Sequence, residues 1–293
     1  MMNFPSRFVG SLLKPYETKI TWRRMMNYAA AIHDPNPCYF DDERPGGIVA
    51  HPMFCVAVTW PISERIWDYL EVADLPKDAL MTQVHYTEHL QIHRLIRPGD
   101  HLIVKGQVVA IVPHKAGTHL VFRYDAYDQE DDPIFTEHIG GLIRGVPCGD
   151  KGRGETQIPR VPAKFHDGEP IWDIPIFIDR MMPYIYDGCA DIYFPIHTSV
   201  KFARQVRLPD IILQGTASLA LAVREVINRE ADRNPHRVKT VACRFTGMVI
   251  PGSEIRVQSV GGASDASGDQ LFFTVLNDKG ERAVSDGMVR LQE

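Results

Sequence analysis

Two stretches of this chain carry side chains able to move protons. In the second half, Asp191-Ile192-Tyr193-Phe194-Pro195-Ile196-His197 is followed by Gln214-Gly215-Thr216. In the first half, Asp34-Pro35-Asn36-Pro37-Cys38-Tyr39 is followed by Ala50-His51-Pro52. A carboxylate and an imidazole held close together can share the removal and delivery of a proton near neutral pH. A helix opening beside Gly215 would offer free N–H groups and a favourable dipole to an oxygen that gains negative charge. Glycine there lets a ligand approach the backbone closely. The first stretch has Tyr39 where the second has His197, and a phenol with a pKa of about 10 does not shuttle protons near neutrality. Plainer readings stand beside these. His197 would cap a turn, Asp191 would end a helix, and Asp187 is a spare carboxylate. His33, Asp34 and His51 would make a rearranged second site.

These residues sit in a duplicated frame. Arg24-Met25-Met26-Asn27-Tyr28 is echoed by Arg180-Met181-Met182-Pro183-Tyr184, and Arg97-Pro98-Gly99-Asp100 by Ile250-Pro251-Gly252-Ser253. Pro147 to Pro170 is rich in Gly, Pro and charge and reads as a linker. The expected units are residues 1–154 and 155–293. Each half repeats one order of elements. Thr21 N-caps a helix over Trp22–Ile32, matched by Asp179–Cys189. After the acidic loop comes a strongly apolar helix, Met53–Leu70 with Pro61 as a kink or break, matched by Thr216–Glu230. Strands follow, at Gln83–Ile92, His101–Val112, His119–Asp128 and Pro133–Arg144 in the first half. In the second they are Val238–Gly247, Glu254–Val260, Gln270–Asn277 and Arg282–Leu291. Asn277-Asp278-Lys279-Gly280 reads as a hairpin turn, and Gly261–Asp265 as a flexible hairpin tip. The class is α+β, with antiparallel strands wrapping an apolar helix that needs a concave apolar face.

The totals narrow the function classes. The 293 residues are 44% hydrophobic and 24% charged, with a net charge of −5, which fits a globular protein and argues against a nucleic-acid partner. The five cysteines form no C-x-x-C pair, so reduced thiols in a cytoplasmic setting are expected, with no disulfide framework and no metal centre. No stretch is apolar enough to span a membrane, and no signal segment opens the chain. Glycine-rich nucleotide loops are missing, so no nucleotide cofactor is expected.

The Asp loops and the following small-residue motif resemble the MaoC-like family, which includes the (R)-specific enoyl-CoA hydratases and acyl dehydratases. That family writes its loop D-x-N-P-x-H, then an H-G pair opening the central helix. The first half keeps Asp34, Asn36 and Pro37 but has Tyr39 for His and Pro52 for Gly. The second keeps Pro195, His197 and Gly215, with Phe194 at the Asn position and Asp191 one residue too far from His197. The resemblance implies a tandem, or double, hotdog fold with a continuous sheet. It also implies water addition across the C2=C3 bond of an enoyl thioester on CoA or acyl carrier protein. Asp191 and His197 would be the acid/base pair and the Gly215 N–H the oxyanion donor, with the first half catalytically degenerate. Met25, Met26, Met53, Phe54 and Trp60 would line an acyl tunnel or fill the core. Lys201, Arg204 and Arg207 would meet the CoA phosphates or be solvated. The competing functions are a hotdog thioesterase and a non-catalytic acyl-CoA binder. Self-association as a homodimer would use the sheet edges.

Overall fold

The computed structural model describes residues 3–72, 74–80, 83–160, 169–266 and 268–292. In the first half it contains β1 (Tyr16–Lys19), α1 (Trp22–Ala31), α2 (Cys55–Glu64), α3 (Ile66–Tyr69) and α4 (Lys77–Leu80). Then come β2 (Gln83–Ile92), β3 (His101–His114), β4 (Gly117–Tyr127) and β5 (Pro133–Arg144). The second half contains β6 (Trp172–Ile178), α5 (Met182–Ala190), α6 (Pro195–Thr198), α7 (Val200–Gln205) and α8 (Gly215–Glu230). It ends with β7 (Val238–Phe245), β8 (Ser253–Asp265), β9 (Gly268–Leu276) and β10 (Arg282–Leu291).

The strands form a ten-stranded sheet in the order β1-β3-β4-β5-β2-β7-β10-β9-β8-β6. Counted inward from either edge, the two halves use the same connectivity, so the sequence repeat is a repeat of topology. The join is antiparallel, from Thr87↔Arg244 to Gln91↔Thr240. It makes one continuous sheet from two hotdog units, the tandem α+β architecture expected.

Each half wraps its sheet around one apolar helix. In α8, Ala217, Leu219, Ala220, Leu221, Ala222, Val223, Val226 and Ile227 are all buried. A helix apolar on nearly every side must be covered on nearly every side. The curved sheet supplies that cover below, and the partner half completes it. Thr21 accepts a hydrogen bond from the Arg24 N–H at 3.3 Å and so caps α1, as its position predicts.

Several expectations needed correction. Pro61 lies inside α2 without ending it, and the break comes at Arg65 (φ −118°, ψ 43°). As the seventh residue of α2, Pro61 forfeits the N–H that would bond to the Ala57 carbonyl, and the helix continues only three residues beyond it. Gly261–Asp265 is not a hairpin tip, because β8 runs through it and pairs as far as Asp265↔Gly268. Short edge strands β1 and β6 and helix α6 were not foreseen. Part of the expected linker, residues 161–168, lies outside the described residues. Upstream of it, Arg153 pairs with Ile111 of β3 through two backbone hydrogen bonds of 2.8 and 3.0 Å.

Candidate active site

His197 sits on the one-turn helix α6. Pro195 opens that turn, where its missing N–H costs nothing and its fixed φ fits. The ring is half-buried, and its Nδ1 lies 2.8 Å from the carbonyl oxygen of Ile212. A carbonyl only accepts, so Nδ1 carries the proton and Nε2 keeps its lone pair. Burial pushes this imidazole down to about 4, with the Ile212 carbonyl partly opposing the shift. At neutral pH it is an uncharged base held in one tautomer. The Ile212 N–H returns a bond to the Ile196 carbonyl at 3.2 Å. The imidazole is therefore tied to the segment that leads into α8.

Asp191 ends α5 in the left-handed conformation (φ 54°, ψ 30°) and is exposed. Aspartate tolerates this geometry better than most residues. Ile192, buried at 3%, occupies the spacing from His197 at which the family places its acid. Asp187, one helical turn before Asp191, is the more enclosed carboxylate. Its Oδ2 is buried without a partner. Burial, then the neighbouring charge of Asp191, raises its pKa. The two acids thus form an i, i+4 pair on α5, and Tyr193 beyond them reaches Glu64 of the first half.

No side chain caps the start of α8. Gln214 precedes it, but the side chain does not cap the helix; its Nε2 donates instead to the Pro183 carbonyl at 3.0 Å. The first N–H groups of any helix lack intrahelical acceptors. Behind Gly215 stands Phe245, and a Cβ at Gly215 would lie 3.0 Å from its ring. Any larger residue there would force the ring or the helix start to shift by a few tenths of an ångström. The Phe245 ring packs at 4.5 Å from that of His85, at the start of β2. Thr216 accepts from the Tyr186 hydroxyl at 3.1 Å, and Tyr186 meets Tyr28 of the first half at 3.2 Å.

The matching place in the first half is closed. Pro52 stands where Gly215 does and has no N–H to give. The next N–H, of Met53, is taken by His51 Nδ1 at 3.2 Å. Asp34, Tyr39 and His51 are all buried, at 1%, 0% and 1% exposure. Burial pushes Tyr39 well above its ordinary pKa and His51 down to about 3. The loop instead clamps the two halves together. Asn36 caps the Cys38 N–H and donates to the Arg233 carbonyl at 2.7 Å. Arg224 of α8 donates to the Ile32 carbonyl at 2.6 Å while pairing with Glu225.

Among other anticipated residues, Met25, Met53 and Phe54 are fully buried core, while Met26 lines a surface recess with Trp22. Lys201, Arg204 and Arg207 are exposed. The sequence reading missed Phe245, the Ile212 carbonyl and the bond from Gln214 to the Pro183 carbonyl. Phe245 works through shape and the other two through backbone carbonyls, and none of these leaves a motif. It also missed a buried acid pair, Glu88 of β2 and Glu137 of β5, both raised well above the ordinary carboxyl range by burial. Glu88 meets His85 at 3.1 Å.

Residues 181–278 match the MaoC like domain, and residues 7–137 match the FAS1-like, dehydratase domain region. The chain is 24% identical over 212 residues to peroxisomal multifunctional enzyme type 2 of Drosophila melanogaster, covering 71% of this chain and 34% of that protein. It is 33% identical over 63 residues to the peroxisomal enoyl-CoA hydratase 2 of Arabidopsis thaliana, covering 22% of this chain and 20% of that one. These matches span about a third or less of the relatives' lengths. A crystal structure of a MaoC-like dehydratase from Phytophthora capsici shares the fold, with a TM-score of 0.81 at 19% identity over 98% of both chains. Fold and site together define a double-hotdog protein in which one half starts its central helix uncapped and the other does not. The half with the uncapped helix start is the one that matches the MaoC like domain.

Proposed function

We propose that this chain is a hydro-lyase that adds or removes water across the C2=C3 bond of an acyl thioester carried by CoA or acyl carrier protein. The observation that carries the reading is the pairing of a tautomer-locked, neutral His197 with an uncapped helix start at Gly215. In the hydration direction, His197 Nε2 takes a proton from water as the water oxygen bonds to C3. The C2=C3 electrons move toward the thioester carbonyl, and the Gly215 N–H meets the resulting enolate oxygen. The enolate then takes at C2 the proton that His197 accepted, which regenerates the base, so one water is consumed and no electron acceptor or redox cofactor is needed. Asp191 is the carboxylate partner of His197 in this scheme. Burial and the charge of Asp191 hold Asp187 toward its neutral form. The relative named as an enoyl-CoA hydratase supports CoA esters as substrates.

The second half, 155–293, does the chemistry in this reading, and the first, 1–154, closes and braces it. Two relatives are peroxisomal by name. A fluorescent fusion distinguishes that compartment from the cytoplasm. The functional test is incubation with crotonyl-CoA and branched or dicarboxylic enoyl-CoAs, following both loss of the conjugated thioester and release of free thiol. Loss without thiol release supports the hydro-lyase. Thiol release assigns a thioesterase, and binding without turnover assigns an acyl-CoA-binding relative.

A further inference from the structure

The end of the sheet opposite the candidate active site gathers basic side chains, some of which have no ion-pair partner among the described residues. Arg97 precedes β3, Lys239 lies on β7, and His236 sits on the short turn before it. With His93 they line a cavity of about 140 Å³ between the halves, floored by Ile92 and Val238. Burial, then the charges of Arg97, Lys239 and Arg44, lowers the pKa of His236. Arg94 beside them is neutralised by Asp100 and Asp128 at 2.8 and 3.0 Å. Among the described residues, Arg44, Arg97 and Lys239 have no ion-pair partner. The nearby carboxylates do not fill that role. Asp100 holds Arg94 and the Arg97 N–H, and Asp42 lines a neighbouring recess that shares Arg97.

Like charges drawn together around a hollow repel one another until an anion joins them. The chain as a whole is acidic, at −5, so the cluster is no sample of a generally basic surface. Guanidinium groups present forked donors that match phosphate oxygens. At about 30 Å³ per water-sized group, the cavity has room for roughly one phosphate. It is also remote from His197. Phe245 and His85 mark the Gly215 end of β2, whereas the cavity lies at its other end, about 23 Å along the strand.

We propose that Arg97, His236 and Lys239 form a binding site for the phosphate groups of a small phosphorylated ligand. The site straddles both halves at the closed, degenerate end of the molecule. It stands independently of the hydro-lyase reading.

Calorimetric titration of the full chain with inorganic pyrophosphate, and separately with adenosine 3′,5′-bisphosphate, tests this. Saturable binding is expected, weakened about tenfold or more in the Arg97→Gln/Lys239→Gln double variant and unchanged in His197→Ala. Tighter binding of the bisphosphate would identify a nucleotide ligand, and equal binding a simple phosphate anion. Both outcomes sustain the site. Absence of saturable binding at millimolar concentration, or equal binding by the folded double variant, overturns it. Circular dichroism of the variant establishes its fold.

Discussion

Replacing Gly215 by alanine tests whether the start of α8 is a catalytic donor or only a helix start. The added Cβ would lie 3.0 Å from Phe245 Cδ1 and 3.2 Å from Cε1. The ring cannot simply recede, because His85 packs against it at 4.5 Å. The helix start must retreat by a few tenths of an ångström, taking the Gly215 N–H with it. Full loss of one oxyanion donor costs about 10²- to 10³-fold in kcat. A partial displacement should cost about tenfold to a hundredfold, falling on kcat rather than KM. Stability should move little, since crowding of about 1–3 kcal/mol is partly offset by a gain of up to about 1 kcal/mol when alanine replaces glycine in a helix. The assay is steady-state hydration of the best enoyl-CoA, with urea unfolding in parallel. Gly215→Ala/Phe245→Leu removes the contact and should recover most of the lost rate. A wild-type rate in Gly215→Ala would refute the donor role, and a double variant no faster than the single would refute the steric account.

The pH profile should follow His197. Its neutral form is the active one, so kcat/KM should stay flat from pH 6 to 8 and fall only as pH drops toward about 4, where protonation removes the base. An apparent pKa near 6.5 would place the working imidazole in solvent. Glu88 bears on stability. Its raised folded pKa means that the native state holds a proton the unfolded chain has released, so stability is lost as pH rises from about 4.5 through the folded value, with a slope of up to about 1.4 kcal/mol per pH unit. Glu88→Gln should flatten that alkaline loss in urea midpoints measured from pH 6 to 9, and an unchanged slope would assign it elsewhere. Arg224→Ala removes the bond to the Ile32 carbonyl and leaves the largely buried Glu225 with Arg229 alone, at 3.4 Å. It should cost about 1–3 kcal/mol in urea unfolding, and a loss below about 0.5 kcal/mol would show that the clamp contributes little.

The repeat made the fold readable. Gln83–Ile92, Pro133–Arg144 and Arg282–Leu291 begin and end in the structure where hydrophobic periodicity and turn residues put them. The helix Thr216–Glu230 starts only one residue earlier than expected. Edge strands β1 and β6 were missed because one is four residues long and the other contains Pro175, so neither offers a clean alternation. His197 and Gly215 stood out because imidazoles and helix-opening glycines are rare and chemically distinct. Which carboxylate is enclosed did not, because Asp187 and Asp191 differ only in how α5 ends. The closure of the first half was half-legible. Pro52 forfeits an N–H by its covalent structure alone. The capture of the Met53 N–H by His51, and the burial of Tyr39, depend on packing that no local pattern encodes.

The measurement that bears most directly on a one-site hydro-lyase is hydration of crotonyl-CoA and the wider enoyl-CoA panel by the wild type, by His197→Ala and by Tyr39→Phe, with thiol release recorded throughout. The account predicts loss of the conjugated thioester without free thiol in the wild type and in Tyr39→Phe, and at least a hundredfold less in folded His197→Ala, at the lower end of the range for a general base. A His197→Ala protein that hydrates at the wild-type rate would contradict it, and so would a Tyr39→Phe protein that loses activity while keeping its fold.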